Sequence, residues 1–304
     1  MMNFSDYKLL LETFTLKYMS FDWDDNILFM PTVIHMQRSE GGQWIDEDVS
    51  TEKFAQIRSN KDWRIKDNKP EVAFAEFRDY GPRGENAFIE DTKKAIAKKD
   101  FGPSWDQFIK ALVRGNIFSI ITARGHEPQT LRKGTRYVID TQLSDEQKHE
   151  MAANLTAYHN MFSNTDPMKE FSFDQLVEEY LDSCDFIGIT SKAFAKMAGD
   201  DFDSSNPEEG KQIAMEHFIK KIHDFGKQVG GKVQMGFSDD DKGNVEHIHK
   251  LFRDELSLKY VMDYTVFDTS DPKLKGGVKM EESVRTFNEY KGGEKIEWYK
   301  PENL

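Results

Sequence analysis

Residues 20–29 read SFDWDDNILF, with three aspartates, Asp22, Asp24 and Asp25, set between apolar neighbours. Carboxylates so close together repel, so the segment folds only with a counter-charge or a shared proton. Immediately before it, LKYMSF (16–21) has the composition of a buried strand. Asp22 and Asp24 stand two positions apart, which on extended backbone sends both side chains to the same side.

Four further β-rich runs follow: IFSIIT (117–122), CDFIGIT (184–190), KVQMGF (232–237) and YVMDYTVF (260–267). Their near-continuous apolar character fits strands covered on both faces. Segments with helical periodicity separate them. GPSWDQFIKALVRG (102–115) carries Ser104 as the expected N-cap, and EEGKQIAMEHFIKKIHDFGKQVGG (208–231) sets Ile213, Phe218, Ile219 and Ile222 on a stripe that ends at glycines. The alternation predicts an α/β fold, a Rossmann-like, mostly parallel sheet flanked by helices.

Two intervals are too long for simple crossovers. Residues 31–101 contain TVIHMQRSEGGQWIDEDVS, a hairpin pattern turning at Gly41-Gly42, and predict an inserted cap subdomain. Within it Trp44, Trp63, Arg58, Arg64 and Arg83 are candidates for shaping a substrate pocket, set against ordinary packing and solvated charge. Residues 125–180 predict a helical segment or a second insertion, and 269–304 a peripheral tail rich in Lys, Glu and Gly. The catalytic core is thus expected over 1–30 and 102–268.

A net charge of −13 disfavours broad attraction to nucleic acid or anionic lipid. No apolar run approaches a membrane span, and the start lacks a signal-peptide pattern, so a cytoplasmic protein with no membrane partner is expected. One cysteine, Cys184, excludes an internal disulfide and a cysteine-cluster metal site. In EHIHK, His247 and His249 point to different sides of a helix, against a shared ion.

Ligands of doubly wound sheets bind beyond the carboxyl ends of the strands. There the first strand presents Asp22-Trp-Asp24-Asp25, the second Thr122-Ala-Arg124-Gly125, the third Thr190-Ser191-Lys192, and the fourth Ser238-Asp239-Asp240-Asp241. Two acid clusters facing each other call for a cation, and an all-oxygen donor set suits Mg²⁺. One carboxylate can then attack phosphorus while its neighbour gives a proton to the leaving oxygen, with a hydroxyl and a lysine steadying the phosphoryl oxygens.

These residues resemble the haloacid dehalogenase (HAD) superfamily, which is dominated by phosphatases. The resemblance covers about residues 16–30 and 105–268 and leaves out the insertions and the tail. FDWDDNIL resembles the first motif, implying Asp22 as nucleophile and metal ligand, and Asp24 as acid/base with its main-chain carbonyl on the metal. FSIITARG resembles the second, implying Thr122 as the phosphate-binding hydroxyl. GKQIAMEHF resembles the third through Lys211, with Lys192 and Lys196 as competitors. MGFSDDDKGNVEHI resembles the fourth, implying Asp239 and Asp240 as metal acids, the ligand ambiguous by one position, with Asn244 orienting the loop. Asp25 and Asn26 stand where many members have Gly and Thr.

The resemblance implies a Mg²⁺-dependent phosphatase that forms an aspartyl-phosphate on a small phosphorylated metabolite, a sugar phosphate or a nucleotide. Its alternatives are a phosphatase of nucleic-acid ends or phosphoproteins, and a HAD-like binding or regulatory protein without turnover.

Overall fold

A computed structural model describes residues 15–162, 171–199, 202, 206–260, 262–280, 289–291 and 294–296. Its strands are β1 (Thr15–Phe21), β2 (Ile34–Glu40), β3 (Gln43–Val49), β4 (Trp63–Ile65), β5 (Phe118–Thr122), β6 (Asp185–Gly188), β7 (Lys232–Asp239), β8 (Asp263–Asp268) and β9 (Val278–Lys279). The main helices are α1 (Thr51–Ile57), α2 (Asn86–Lys98), α3 (Trp105–Val113), α4 (Pro128–Gln142), α5 (Asp145–Phe162), α6 (Phe173–Ser183), α7 (Lys192–Ala198), α8 (Pro207–Val229) and α9 (Lys242–Leu251).

The main sheet runs β6-β5-β1-β7-β8-β9, parallel except for the last pair. From β1 the chain winds one way through β5 and β6, then returns to the other side through β7 and β8. β1 is therefore the switch point, and the crevice beyond its carboxyl end lies between β5 and β7. Register fixes who meets there: Phe21 pairs with Ile120 on β5 and with Ser238 on β7. Asp22, Thr122 and Asp239 consequently emerge at one edge.

Each face of the sheet has its own core. One gathers Phe21, Trp23, Phe108, Phe118 and Val177 beneath α2 to α6; the other gathers Phe218, Ile219, Phe237, Val245 and Phe252 beneath α8 and α9. Cys184 lies in the first, where burial pushes its thiol up to about 12, as suits a packed group. No helix among the described residues is long and apolar enough to cross a membrane.

Local chemistry explains most element ends. Gly41 and Gly42, at φ 58° and 83°, form the two-residue turn between β2 and β3, the left-handed geometry that matches strand twist. Gly230, at φ 71°, closes α8. Ser104 departs from expectation. It holds the N-cap position of α3 but makes no side-chain cap, and its hydroxyl donates instead to Ser238 Oγ on β7 at 3.2 Å.

The inserted segment divides unevenly. A small sheet β3-β2-β4 packs on its own cluster of Ile34, Met36, Val49 and Phe77. Helix α2, counted with the cap by sequence, buries Phe88, Ala95 and Ile96 in the main core. The segment leaves and re-enters as a zipped stem: Phe29 N–H donates to Asp100 C=O at 2.9 Å, and Gly102 N–H to Ile27 C=O at 2.9 Å. Residues 125–180, where described, are crossover helices α4 to α6 between β5 and β6. The segment after 268 starts inside the protein, with Thr269 buried and its N–H donating to Asp239 C=O at 3.0 Å. Half of the expected tail, 281–288, 292–293 and 297–304, lies outside the described residues.

Candidate functional site

Alternation after β1 decides the site. Trp23 turns into the core against Phe88 and Phe108, with ring centroids 5.0 and 6.1 Å away, and this anchors the strand end. Its neighbours Asp22 and Asp24 turn to the crevice side. The chain then folds back on itself through a tight loop, with Asn26 N–H on Asp24 C=O at 2.6 Å and Ile27 N–H on Trp23 C=O at 3.1 Å.

Lys211, near the start of α8, reaches this edge from the opposite face. Its Nζ donates to Asp22 Oδ1 at 3.0 Å and to Asp239 Oδ2 at 2.6 Å, and all three side chains are buried. Burial alone would push the ammonium down, but the two carboxylates override it and hold Lys211 charged. Burial, with Asp239 and Asp24 nearby, pushes Asp22 well above the usual carboxylate range in spite of Lys211.

The three consecutive acids after β7 divide the work. Asp239 takes Lys211, and its Oδ1 accepts Asp241 N–H at 3.0 Å and Asn244 Nδ2 at 3.2 Å. Asp241 caps α9, accepting Gly243 N–H at 2.7 Å. Asp240 stays half-buried, pushed up by burial and by Asp239, Asp22 and Asp25. Of the competing lysines, Lys192 instead places its Nζ 5.0 Å from the Tyr80 ring centroid.

Thr122 is buried at the end of β5, where its Oγ1 accepts Arg124 N–H at 3.3 Å and its own proton remains to be donated. Asp24 does not join the Asp22–Lys211 group. Arg124 clamps it from two sides, Nε to Oδ2 at 2.7 Å and Nη2 to Oδ1 at 2.6 Å. The guanidinium is itself buried, hydrogen-bonded to Thr32 Oγ1 at 2.8 Å and stacked 4.5 Å from the Phe77 ring centroid.

Asn26 and Asp25 acquire structural work. Asn26, fully buried, donates to Asp22 C=O at 3.0 Å and to Ser238 C=O at 3.2 Å, and accepts Thr269 Oγ1 at 2.8 Å. It therefore ties the ends of β1, β7 and β8 together. Asp25, in left-handed backbone at φ 54°, accepts the Thr51 hydroxyl of α1 at 2.6 Å. Burial first, then Asp24, pushes its carboxyl up to about 6.

Sequence reading missed the roles of Arg124, Asn26, Ser104 and Thr51. Arg124 alone left a signal, since it follows Thr122 at a strand end. Asn26 and Ser238 lie 212 positions apart in the chain, so no local pattern joins them. The candidate pocket residues Trp44 and Arg64 stack on each other 4.3 Å apart, and Arg83 pairs with Glu76 and Asp91. A separate cavity of about 280 Å³ beside β6, lined by Leu181, Phe186 and Phe194 among others, includes none of the candidate site residues.

His126 supplies a pH test of this architecture. It is buried, with Nδ1 2.8 Å from Asp79 Oδ1 and Nε2 3.4 Å from Arg124 Nη1, contacts that suit a neutral ring protonated at Nδ1. Burial pushes its pKa down, against the pull of Asp79. A group depressed on folding contributes stability above its unfolded pKa of about 6.5 and loses it as pH falls. Denaturant titrations are expected to show less acid loss of stability below about pH 6.5 in His126→Asn than in the wild type. Parallel curves would remove His126 from the account.

No family model, curated protein or solved structure matches the chain.

Proposed function

We propose that the chain is a HAD-like phosphatase, a Mg²⁺-dependent phosphomonoester hydrolase working through Asp22. The observation that carries this reading is Lys211 Nζ bridging Asp22 and Asp239 at the switch point of the sheet, beside Thr122. A buried nucleophilic carboxylate, a fixed cation and a hydroxyl around one crevice suit phosphoryl transfer.

The donor chemistry fits a hard divalent cation. Burial pushes both carboxyls up, with Asp239 and Asp24 adding to it at Asp22, and Asp239, Asp22 and Asp25 at Asp240, so the cluster crowds more acid than the one Lys211 ammonium offsets. Among the described residues no group of three or more Asp, Glu, His or Cys side chains is placed to hold a metal ion by itself. In this reading Asp22 and Asp240 would hold the ion, with the Asp24 main-chain carbonyl, an all-oxygen set of the kind that suits Mg²⁺. Bound there, Mg²⁺ would neutralise phosphoryl oxygens and favour the ionised form of Asp22.

The chain's own residues would then act in sequence. An Asp22 oxygen attacks phosphorus and the bond to the leaving oxygen breaks, giving the aspartyl-phosphate. Lys211 and the Thr122 hydroxyl hold phosphoryl oxygens while Asp24 protonates the leaving oxygen. Asp24 next takes a proton from water, which attacks phosphorus and releases phosphate, restoring Asp22. To serve in this way Asp24 must leave Arg124.

That clamp also favours a second reading, a HAD-like binding or regulatory protein in which Asp24 never leaves its partner. Hydrolysis of p-nitrophenyl phosphate separates the two. Turnover with Mg²⁺ that stops on chelation and returns on readdition is expected. Absence of turnover across a broad panel of phosphoesters with Mg²⁺ would sink the phosphatase reading.

A further inference from the structure

Arg78 and Tyr80 belong to the inserted segment and Lys192 follows β6, yet the fold sets them on one rim. Arg78 bridges to Gly125, and Gly125 N–H donates to Phe77 C=O at 2.8 Å. The rim is thereby fixed to the loop that carries Thr122 and Arg124. Arg78 Nη1 donates to the Tyr80 hydroxyl at 3.1 Å, and its guanidinium lies 5.6 Å from the ring centroid. Lys192 Nζ lies 5.0 Å from the same ring. Tyr80, 50% exposed, is an aromatic support for both cations, Lys192 exposed and Arg78 half-buried with its Nε enclosed and without a hydrogen-bond partner.

The neighbouring acids are committed elsewhere. Asp79 takes His126 Nδ1 at 2.8 Å, Glu127 N–H at 2.9 Å and Thr130 Oγ1 at 2.9 Å. The Glu127 carboxylate accepts the backbone N–H groups of Lys192 and Ala193 at 3.0 and 3.1 Å. Among the described residues Arg78 and Lys192 make ring and hydroxyl contacts but no ion pair. In a chain of net charge −13, two converging cations whose adjacent carboxylates serve other donors lack an anion of their own.

We propose that Arg78, Lys192 and Tyr80 form a subsite for a second anionic group on the substrate, a phosphate or carboxylate carried by the leaving group. The substrate is then a phosphomonoester bearing a further negative group, not a neutral phosphorylated alcohol. The Arg78 fork takes two oxygens of that group, and Lys192 supplies a point charge. The inference rests on the phosphatase reading of Asp22, and it makes the junction of cap and core the place where substrates are told apart.

Kinetics on matched pairs test it: fructose 6-phosphate against fructose 1,6-bisphosphate, and glucose 6-phosphate against 6-phosphogluconate, in wild type and Arg78→Ala/Lys192→Ala. The doubly charged member is expected to lead by about tenfold or more in kcat/KM. In the double variant the lead should vanish through KM, with p-nitrophenyl phosphate turnover unchanged. A wild type without preference, or a preference that survives the double substitution, overturns the subsite. Should wild type hydrolyse no phosphoester, the phosphatase reading has failed, and calorimetric titration with fructose 1,6-bisphosphate then judges the subsite alone. Binding lost in the double variant supports it; no binding, or equal binding, overturns it.

Discussion

Asp22→Asn is expected to lower p-nitrophenyl phosphate turnover by about 10³-fold or more, since the attacking oxygen is replaced by a group that cannot form the acyl phosphate. The same substitution should leave the protein as stable as wild type or more stable at neutral pH. The sign follows from the direction of its pKa. Burial and the neighbouring acids hold Asp22 above its ordinary value, so the ionised form is disfavoured by folding at any pH above the unfolded pKa. A neutral amide removes that penalty and keeps an oxygen for the Lys211 ammonium, now 3.0 Å from Oδ1. Activity and stability therefore move in opposite directions. Turnover within about tenfold of wild type would remove Asp22 as nucleophile, and a large drop in stability would show that the carboxylate serves the fold.

Lys211→Met carries the second large effect, and here both readouts fall. Removing the cation leaves Asp22 and Asp239 buried against each other, at an expected cost of about 3–5 kcal/mol. That is a large share of the roughly 5–15 kcal/mol that holds a typical domain. The loss should ease as the pH falls. Without Lys211 the folded state takes up protons at higher pH than the unfolded chain does, so stability rises on acidification through those raised pKa values. Urea unfolding at pH 7.5 and pH 5 checks this: the deficit relative to wild type should shrink at pH 5. An equal deficit at both values would mean that the lysine matters through its packed stem and not through its charge.

How much of this was legible in the sequence differs by element. The core strands announce themselves because each is a short apolar run buried on both faces, and β1, β5 and β7 place Asp22, Thr122 and Asp239 where the pattern put them. Lys211 was legible through the helix that feeds β7. The limits of the insertion were not, since α2 has an apolar stripe like any other helix and only tertiary packing shows that Phe88 and Ile96 belong to the main core. Ser104 looked like a cap by type and position, but its hydroxyl was drawn to Ser238, across 134 positions of chain. The Asp24–Arg124 clamp joins residues 100 positions apart, and it alters the chemistry expected of Asp24. Local propensity reads elements; it does not read partners.

The zipped stem beside the site has a consequence for the tolerance of this chain to changes of length. With Phe29 N–H only 2.9 Å from Asp100 C=O, the chain between them is a loop whose ends already touch, although α2 within it packs Phe88 and Ile96 into the main core. Closing a longer or shorter loop between fixed ends changes the free energy only logarithmically with its length. The small β3-β2-β4 sheet, packed on its own cluster, can therefore change length at little cost, whereas α2, Thr32 and Thr51 in the same loop are held by the main core, by Arg124 and by Asp25.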